Sequence, residues 1–137
     1  MKKKVIKTYT DLKTFEDACQ VEKLNPKKII PDFKLYPAKD RKAMIAHAKL
    51  VIIARAANRL ANGNKAWKAD FSNHDQYKYY PWFYQESGKS GSSGFPCYDC
   101  DAWYSAAGVG SRLCFISWEV GKYVGETFIK LYREYMV

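Results

Sequence analysis

Apolar positions return at helical spacing near the start of the chain, in TFEDACQVEKL, where Phe15, Ala18, Cys19 and Leu24 would share one face. Thr14 suits the N-cap, because its hydroxyl accepts the third free backbone N–H while Asp17 reaches back to complete a capping box. Glu16 and Asp17 also favour the positive end of the helix dipole. Asn25-Pro26 ends the element, and Cys19 reads as a core position. KKIIPDFKLYP follows, broken by Pro31 and Pro37. It is expected to be extended, with Ile29, Ile30, Phe33, Leu35 and Tyr36 pinning it across the core.

The longest pattern is PAKDRKAMIAHAKLVIIARAANRLANGN, which predicts a helix from Ala38 to Ala61. Pro37 sits where proline favours a helix start, and Asn62-Gly63 is a stop. From Met44 to Ala57 the pattern is apolar on most sides, as in a helix covered by more than one neighbour. His47 lies within it without a carboxylate or cysteine at helical spacing, so it reads as a partly buried histidine and not a metal ligand.

AWKADFSNHDQYK reads as a loop anchored by Trp67 and Phe71. Three strands are expected next, at Tyr79 to Gln85, Phe95 to Tyr104 and Arg112 to Ser117. A flexible Gly/Ser loop over residues 86–94 joins the first two. Pro81 and Pro96 require edge or bulged pairing. A closing helix from Ser117, its N-cap, to about Tyr135 shows one face in Val120, Val124, Phe128, Leu131 and Tyr135. Gly121 and Gly125 border that face, and each costs helix stability unless something approaches closely. The pattern is α+β: a single domain over 1–137 with N-terminal helices, a three-stranded antiparallel meander and a C-terminal helix packed on it.

Composition adds three constraints. With 47% hydrophobic and 16% aromatic residues in 137, the chain is long and apolar enough for one core. No apolar run approaches the roughly 18 residues of a membrane span. The basic start over residues 1–8, expected to be mobile, is not followed by the apolar stretch of a secretory signal. An intracellular, cytoplasmic protein is therefore expected, with its four cysteines as thiols or a metal site and not disulfides.

Charge is unevenly spread. Residues 1–68 hold 17 Lys/Arg against 6 Asp/Glu, a net +11, whereas residues 69–137 hold 6 against 8, a net −2. A basic half joined to an aromatic half suits a polyanion such as DNA or RNA. The plainer reading of the same charge is solubility.

Candidate chemistry centres on KYYPWFYQESGKSGSSGFPCYDCDAWY, residues 78–104. Cys97 and Cys100 have the spacing of a zinc-gripping pair, and Cys114 on the next expected strand is a third weak candidate. A fourth ligand would have to be Cys19, His47 or His74, none at standard spacing. Redox chemistry lacks its usual βαβ context. Zinc is thus the lesser reading, and no cofactor is expected. Gly88-Lys89-Ser90 lacks the glycine a phosphate loop needs five residues earlier, where Phe83 stands. No serine, histidine and acid are arranged as a nucleophile with its base, so the residues do not support an enzyme.

The rings remain. Tyr79, Tyr80, Trp82, Trp103 and Tyr104 would line the hairpin, with Lys78, Lys89 and Arg112 steering phosphates towards bases stacked on the exposed side. The competing reading makes all these rings core or sheet-covering side chains, which strands favour in any case.

FEDACQV, KAMIAHAKLVIIARAAN, WKADFSN, KYYPWF and VGSRLCFISWEVGKYVGETFIKLY together resemble a family of small uncharacterised proteins that recur in phages and prophages of gut Bacteroidetes. The likeness runs from about residue 5 to 135, and KYYPWF with GSRLCF is its most specific combination. Relatives often carry tyrosine or other residues at Cys97 and Cys100, so the resemblance implies that a metal site there would be peculiar to this chain. It implies a phage setting, in the cytoplasm of an infected host, and no catalytic residue. The expected function is a non-enzymatic binding protein, first for nucleic acid through a basic surface and exposed rings. The alternatives are a protein-binding inhibitor of host machinery or defence, and a virion component.

Overall fold

The computed structural model describes residues 2–83, 97–103 and 111–137, without the side chains of Cys97, Tyr98, Trp103 and Ser111. Its helices are α1 (Phe15–Glu22), α2 (Ala38–Ala61), α3 (Trp118–Thr127) and α4 (Ile129–Met136), and its strands are β1 (Lys78–Phe83) and β2 (Cys97–Trp103). Two 3-10 turns, Tyr9–Asp11 and Ser111–Leu113, complete the order. The class is α+β, as the hydrophobic pattern implies.

α1 begins as its sequence dictates. The Asp17 N–H donates to Thr14 Oγ1 across 3.2 Å, and the Thr14 N–H donates back to Asp17 Oδ2 across 3.0 Å. Its C-cap, Lys23, turns into the left-handed region. α2 is the spine of the molecule. It packs against α1 and α4 along its length, and Leu50, Ile53, Ala54 and Ala57 on it are buried. The partners in that core are Leu12, Phe15 and Cys19 before α2 and Phe115, Val120, Val124 and Phe128 after the hairpin. His47 is half-buried and stacks on Tyr135 with centroids 4.7 Å apart, so it serves as packing. The basic N-terminal segment is tied in at Lys4, whose amine bonds Asp17 Oδ2 at 2.7 Å and the Asp11 carbonyl at 2.8 Å.

Three expectations need correction. The meander has two described strands, β1 and β2, paired antiparallel, and the third segment is a 3-10 turn followed by an isolated bridge from Phe115 to Tyr79. That bridge still makes two backbone bonds, of 3.1 and 2.7 Å. The ladder cannot extend to the next pair, Pro81 with Leu113, because proline has no N–H to donate, while Asn58 of α2 takes the Ile116 N–H on the outer edge of the segment.

The closing helix is two helices, with a break at Phe128 (φ −107°, ψ 28°). No glycine or proline stands there. Phe128 is buried, and Tyr132 one turn later meets the Phe83 ring with centroids 4.7 Å apart, so packing on the sheet sets the bend.

The segment 27–37 is not extended across the core and meets it only partly, through half-buried Ile30. Leu35 is fully exposed, and Ile29 and Tyr36 are exposed as well. α1, α3 and α4 already cover α2, and the segment instead coils into turns. Arg41 holds them by donating to the carbonyls of Lys34 and Tyr36, each at 3.0 Å.

Pro81, within β1, pairs with Cys100 next to an irregularity, and Pro96 lies outside the described residues. β1 and β2 lose register between Trp82 and Phe83, where Asp99 pairs with Trp82 and Cys97 with Phe83. The one-residue slip is a β-bulge. The loop 86–94 lies outside the described residues.

Candidate nucleic-acid interface

Both faces of β1 carry rings, and the fold disposes of them differently. Tyr79 and Phe83 pack towards the core cluster. On the other face Tyr80 is 5% exposed, whereas Trp82 is 49% exposed and touches the Tyr80 ring at 6.4 Å. Of the expected stacking rings, Trp82 is therefore the one that β1 leaves bare. Trp103 is described only in its backbone, and Lys89 and Tyr104 lie outside the described residues.

The surroundings of Trp82 are acidic. Asp99 is its cross-strand partner, Asp101 faces Tyr80, and both carboxylates are exposed. The indole of Trp118, exposed and not anticipated from sequence, donates to Asp99 Oδ1 at 3.3 Å. A phosphate backbone laid along this face would meet like charge.

Lys78 does not steer phosphates from the surface, because it is fully buried. Its Nζ donates to the Asn73 carbonyl at 2.7 Å and lies 5.4 Å from the centroid of the Phe71 ring. Sequence position gave no sign of this. A lysine opening a strand normally points to water, and only the loop packed over it supplies a carbonyl and a ring for its buried amine.

That same loop builds a different site. After α2 the chain reverses through Gly63 and Asn64, with φ near +62° and +60°. Asn62 Nδ2 secures the reversal by donating to the carbonyls of Lys65 and Ala66. Further on, the Asp70 N–H donates to Gln76 Oε1, and Lys78 ties down Asn73. The loop is thus pinned at both ends against α2 and β1.

Between the loop and α2 lies a cleft of about 380 Å³. Three cations line it, Arg55 from α2, Lys68 from the loop and Arg112 from the turn after β2, and all three are exposed. Trp67 and Phe71, the two loop anchors, line it with half-buried rings. Buried Asn58 and Cys114 complete it from below. Arg55 and Asn58 are three residues apart on α2, hence on one face.

Asn58 brings the third cation over. Its Nδ2 donates to the Cys114 carbonyl at 2.8 Å and its Oδ1 accepts from the Ile116 N–H at 2.9 Å. Arg112, two residues before Cys114, is thereby held beside α2. No carboxylate stands among the described residues that line the cleft. The nearest acid in sequence, Asp70, has its carboxyl held below the usual range by the Ser72 hydroxyl and then the Ser72 N–H. Burial pushes the Cys114 thiol up to about 11, while nearby Lys78 pulls the other way. Cys114 therefore faces the cleft as a neutral thiol at ordinary pH.

Among the described residues, Arg112 is the expected binding residue that joins this cleft, together with Cys114, the third weak metal candidate. Trp67, Phe71, Arg55 and Lys68 were legible as loop anchors or as part of the basic half, but nothing in their spacing puts them together. As for metal, the cysteines Cys100 and Cys114 are both buried, and the described residues contain no group of three or more His, Cys, Asp or Glu able to share an ion. Among those residues no helix is long and apolar enough to cross a membrane.

Comparison with protein-family models, with curated proteins and with solved structures gives no match for this chain.

Proposed function

We propose that the chain is a non-enzymatic nucleic-acid-binding protein of a phage or prophage, acting in the host cytoplasm and gripping phosphates at the cleft between α2 and the 62–76 loop. One observation carries this reading: Arg55, Lys68 and Arg112 converge with Trp67 and Phe71 on one cleft whose described lining holds no carboxylate. Cations from three separate elements gain little from being crowded together unless an anion offsets their repulsion. The excess of basic residues in the first half supplies the wider field, +11 over residues 1–68 from 17 Lys/Arg against 6 Asp/Glu.

Binding of fluorescein-labelled DNA and RNA, followed by anisotropy from 20 to 300 mM salt, tests it. Three phosphate contacts predict a log–log salt slope of about −2 to −3. Arg112→Ala should flatten the slope by about one and weaken binding to every sequence alike, whereas Trp82→Ala should leave both unchanged. Absence of binding at the lowest salt, or a larger loss from Trp82→Ala than from Arg112→Ala, would overturn the reading.

A second reading, a protein-binding inhibitor of host machinery, is favoured by the segment 25–37. Leu35 stands fully exposed at its tip, Phe33 adopts φ 53°, and Tyr36 packs edge-on against Phe33 at 5.4 Å. A bulky residue in the left-handed region costs about 1–3 kcal/mol and is kept where the surroundings enforce it. Arg41 does the enforcing. Stoichiometric capture of one host protein from nuclease-treated lysate, lost on Leu35→Asp and kept on Arg112→Ala, would favour this reading over the first.

A further inference from the structure

We infer that the cleft takes one unpaired nucleotide at a time and accepts it without regard to the identity of the base; this rests on the nucleic-acid reading above. The size comes first. About 380 Å³ is near the lower end of small-ligand sites, roughly 300–1,000 Å³, and suits one nucleotide, not a stacked pair. A base held in a paired duplex would have to leave its stack to enter, at a cost of a few kcal/mol. Single strands are spared that cost.

The lining decides what is recognised. Among the described residues, Trp67 and Phe71 line the cleft with half-buried rings, a side-chain type on which every base can stack, and Arg55, Lys68 and Arg112 offer contacts that every phosphate can accept. Reading a base edge takes hydrogen-bonding groups fixed in place, and a buried asparagine is well suited to that task. Asn58 is the one amide side chain among the described lining residues, and each of its ends already holds a backbone partner. Its Nδ2 is bonded to the Cys114 carbonyl at 2.8 Å and its Oδ1 to the Ile116 N–H at 2.9 Å. Releasing it would leave buried backbone groups bare. Beside it, the Cys114 thiol is a weak donor. With Arg55, Lys68 and Arg112 engaged by phosphate, the cleft holds ring and phosphate and leaves the base edge unread.

Labelled 20-mers of dT, dA and dC and a mixed-sequence 20-bp duplex, titrated with the full chain at 50 mM salt, test this. The three single strands should bind within about threefold of one another, and the duplex at least tenfold more weakly. Trp67→Ala should weaken single strands about five- to a hundredfold, and Trp67→Phe should restore most of that, which separates stacking from a folding defect. A preference above tenfold for one base, equal binding of the duplex, or no loss on Trp67→Ala would overturn the inference. Any of those with binding still sensitive to Arg112→Ala leaves the polyanion reading standing. No binding of any probe removes both.

Discussion

Asn58 of α2 donates its side-chain amide to the Cys114 carbonyl across 2.8 Å, and so fastens the segment after the hairpin to the central helix. With the Ile116 N–H bonded to the opposite end of the same amide, one buried side chain ties the outer edge of this segment to α2, on the side away from the Tyr79 bridge. It also sets where Arg112 lies.

Removing this clamp should be costly. Asn58→Ala leaves a buried carbonyl and a buried N–H without their partner, an expected loss of roughly 2–4 kcal/mol in urea unfolding. Asn58→Asp keeps an acceptor for Ile116 but turns the other oxygen against the Cys114 carbonyl. At pH 7 it should be no better than Asn58→Ala. It should recover as pH falls, because the protonated acid can donate again. A folded-state pKa raised by burial makes the penalty fall as pH drops towards it. An Asn58→Asp variant with pH-independent stability between 7 and 4 would contradict this account.

Asp17 should give the opposite pH sign. Burial pushes its carboxyl up, but the Lys4 amine and the N–H groups of Lys13 and Thr14, all on Oδ2, outweigh burial and leave it below the usual range. With the folded value below the unfolded one, its contribution is present above about pH 4 and is lost as pH falls through the folded value. Asp17→Asn should lower stability by about 1–2 kcal/mol at pH 7, the usual worth of a capping interaction. The gap between the two proteins should narrow as pH falls below about 4. Urea midpoints at pH 7, 5 and 3 measure it, and a constant gap would count against the capping role.

Gly121 and Cys100 form a tight contact between α3 and β2. A Cβ at Gly121 would stand 2.7 Å from Cys100 Sγ, closer than real Cβ atoms come. Gly121→Ala should therefore cost about 1–2 kcal/mol, overpacking exceeding the gain of about 1 kcal/mol in helix propensity. In a Cys100→Ala background the same change should be neutral or stabilising by up to about 1 kcal/mol. A double-mutant cycle reads the coupling directly, and additive effects would show that the two residues do not meet.

The helices were largely legible because their signals are local. The Thr14–Asp17 capping box, Pro37 and Asn62-Gly63 act within one or two turns of themselves, and α1 and α2 begin where those residues place them. The spacing of Val120 and Val124 likewise marked a buried face. Gly121 carried a readable hint of a close neighbour, though it could not say that the neighbour was the Cys100 side chain. The bend at Phe128 and the exposure of Leu35 were not legible, since each depends on which surfaces α2 has already covered.

The candidate site divides along the same line. Composition alone determined that one half of the chain is strongly basic and the other rich in rings, since charge and side-chain type are properties of single residues. Tertiary structure alone decided which cations stand next to which rings. It buried Lys78 under the Asn73 carbonyl and set Trp82 among carboxylates. It also gathered Arg55, Trp67 and Arg112, far apart in sequence, around one cleft. The reason is that a binding site is a sum of short-range interactions. Hydrogen bonds and stacking act over a few ångströms, and only the folded backbone determines which residues lie that close.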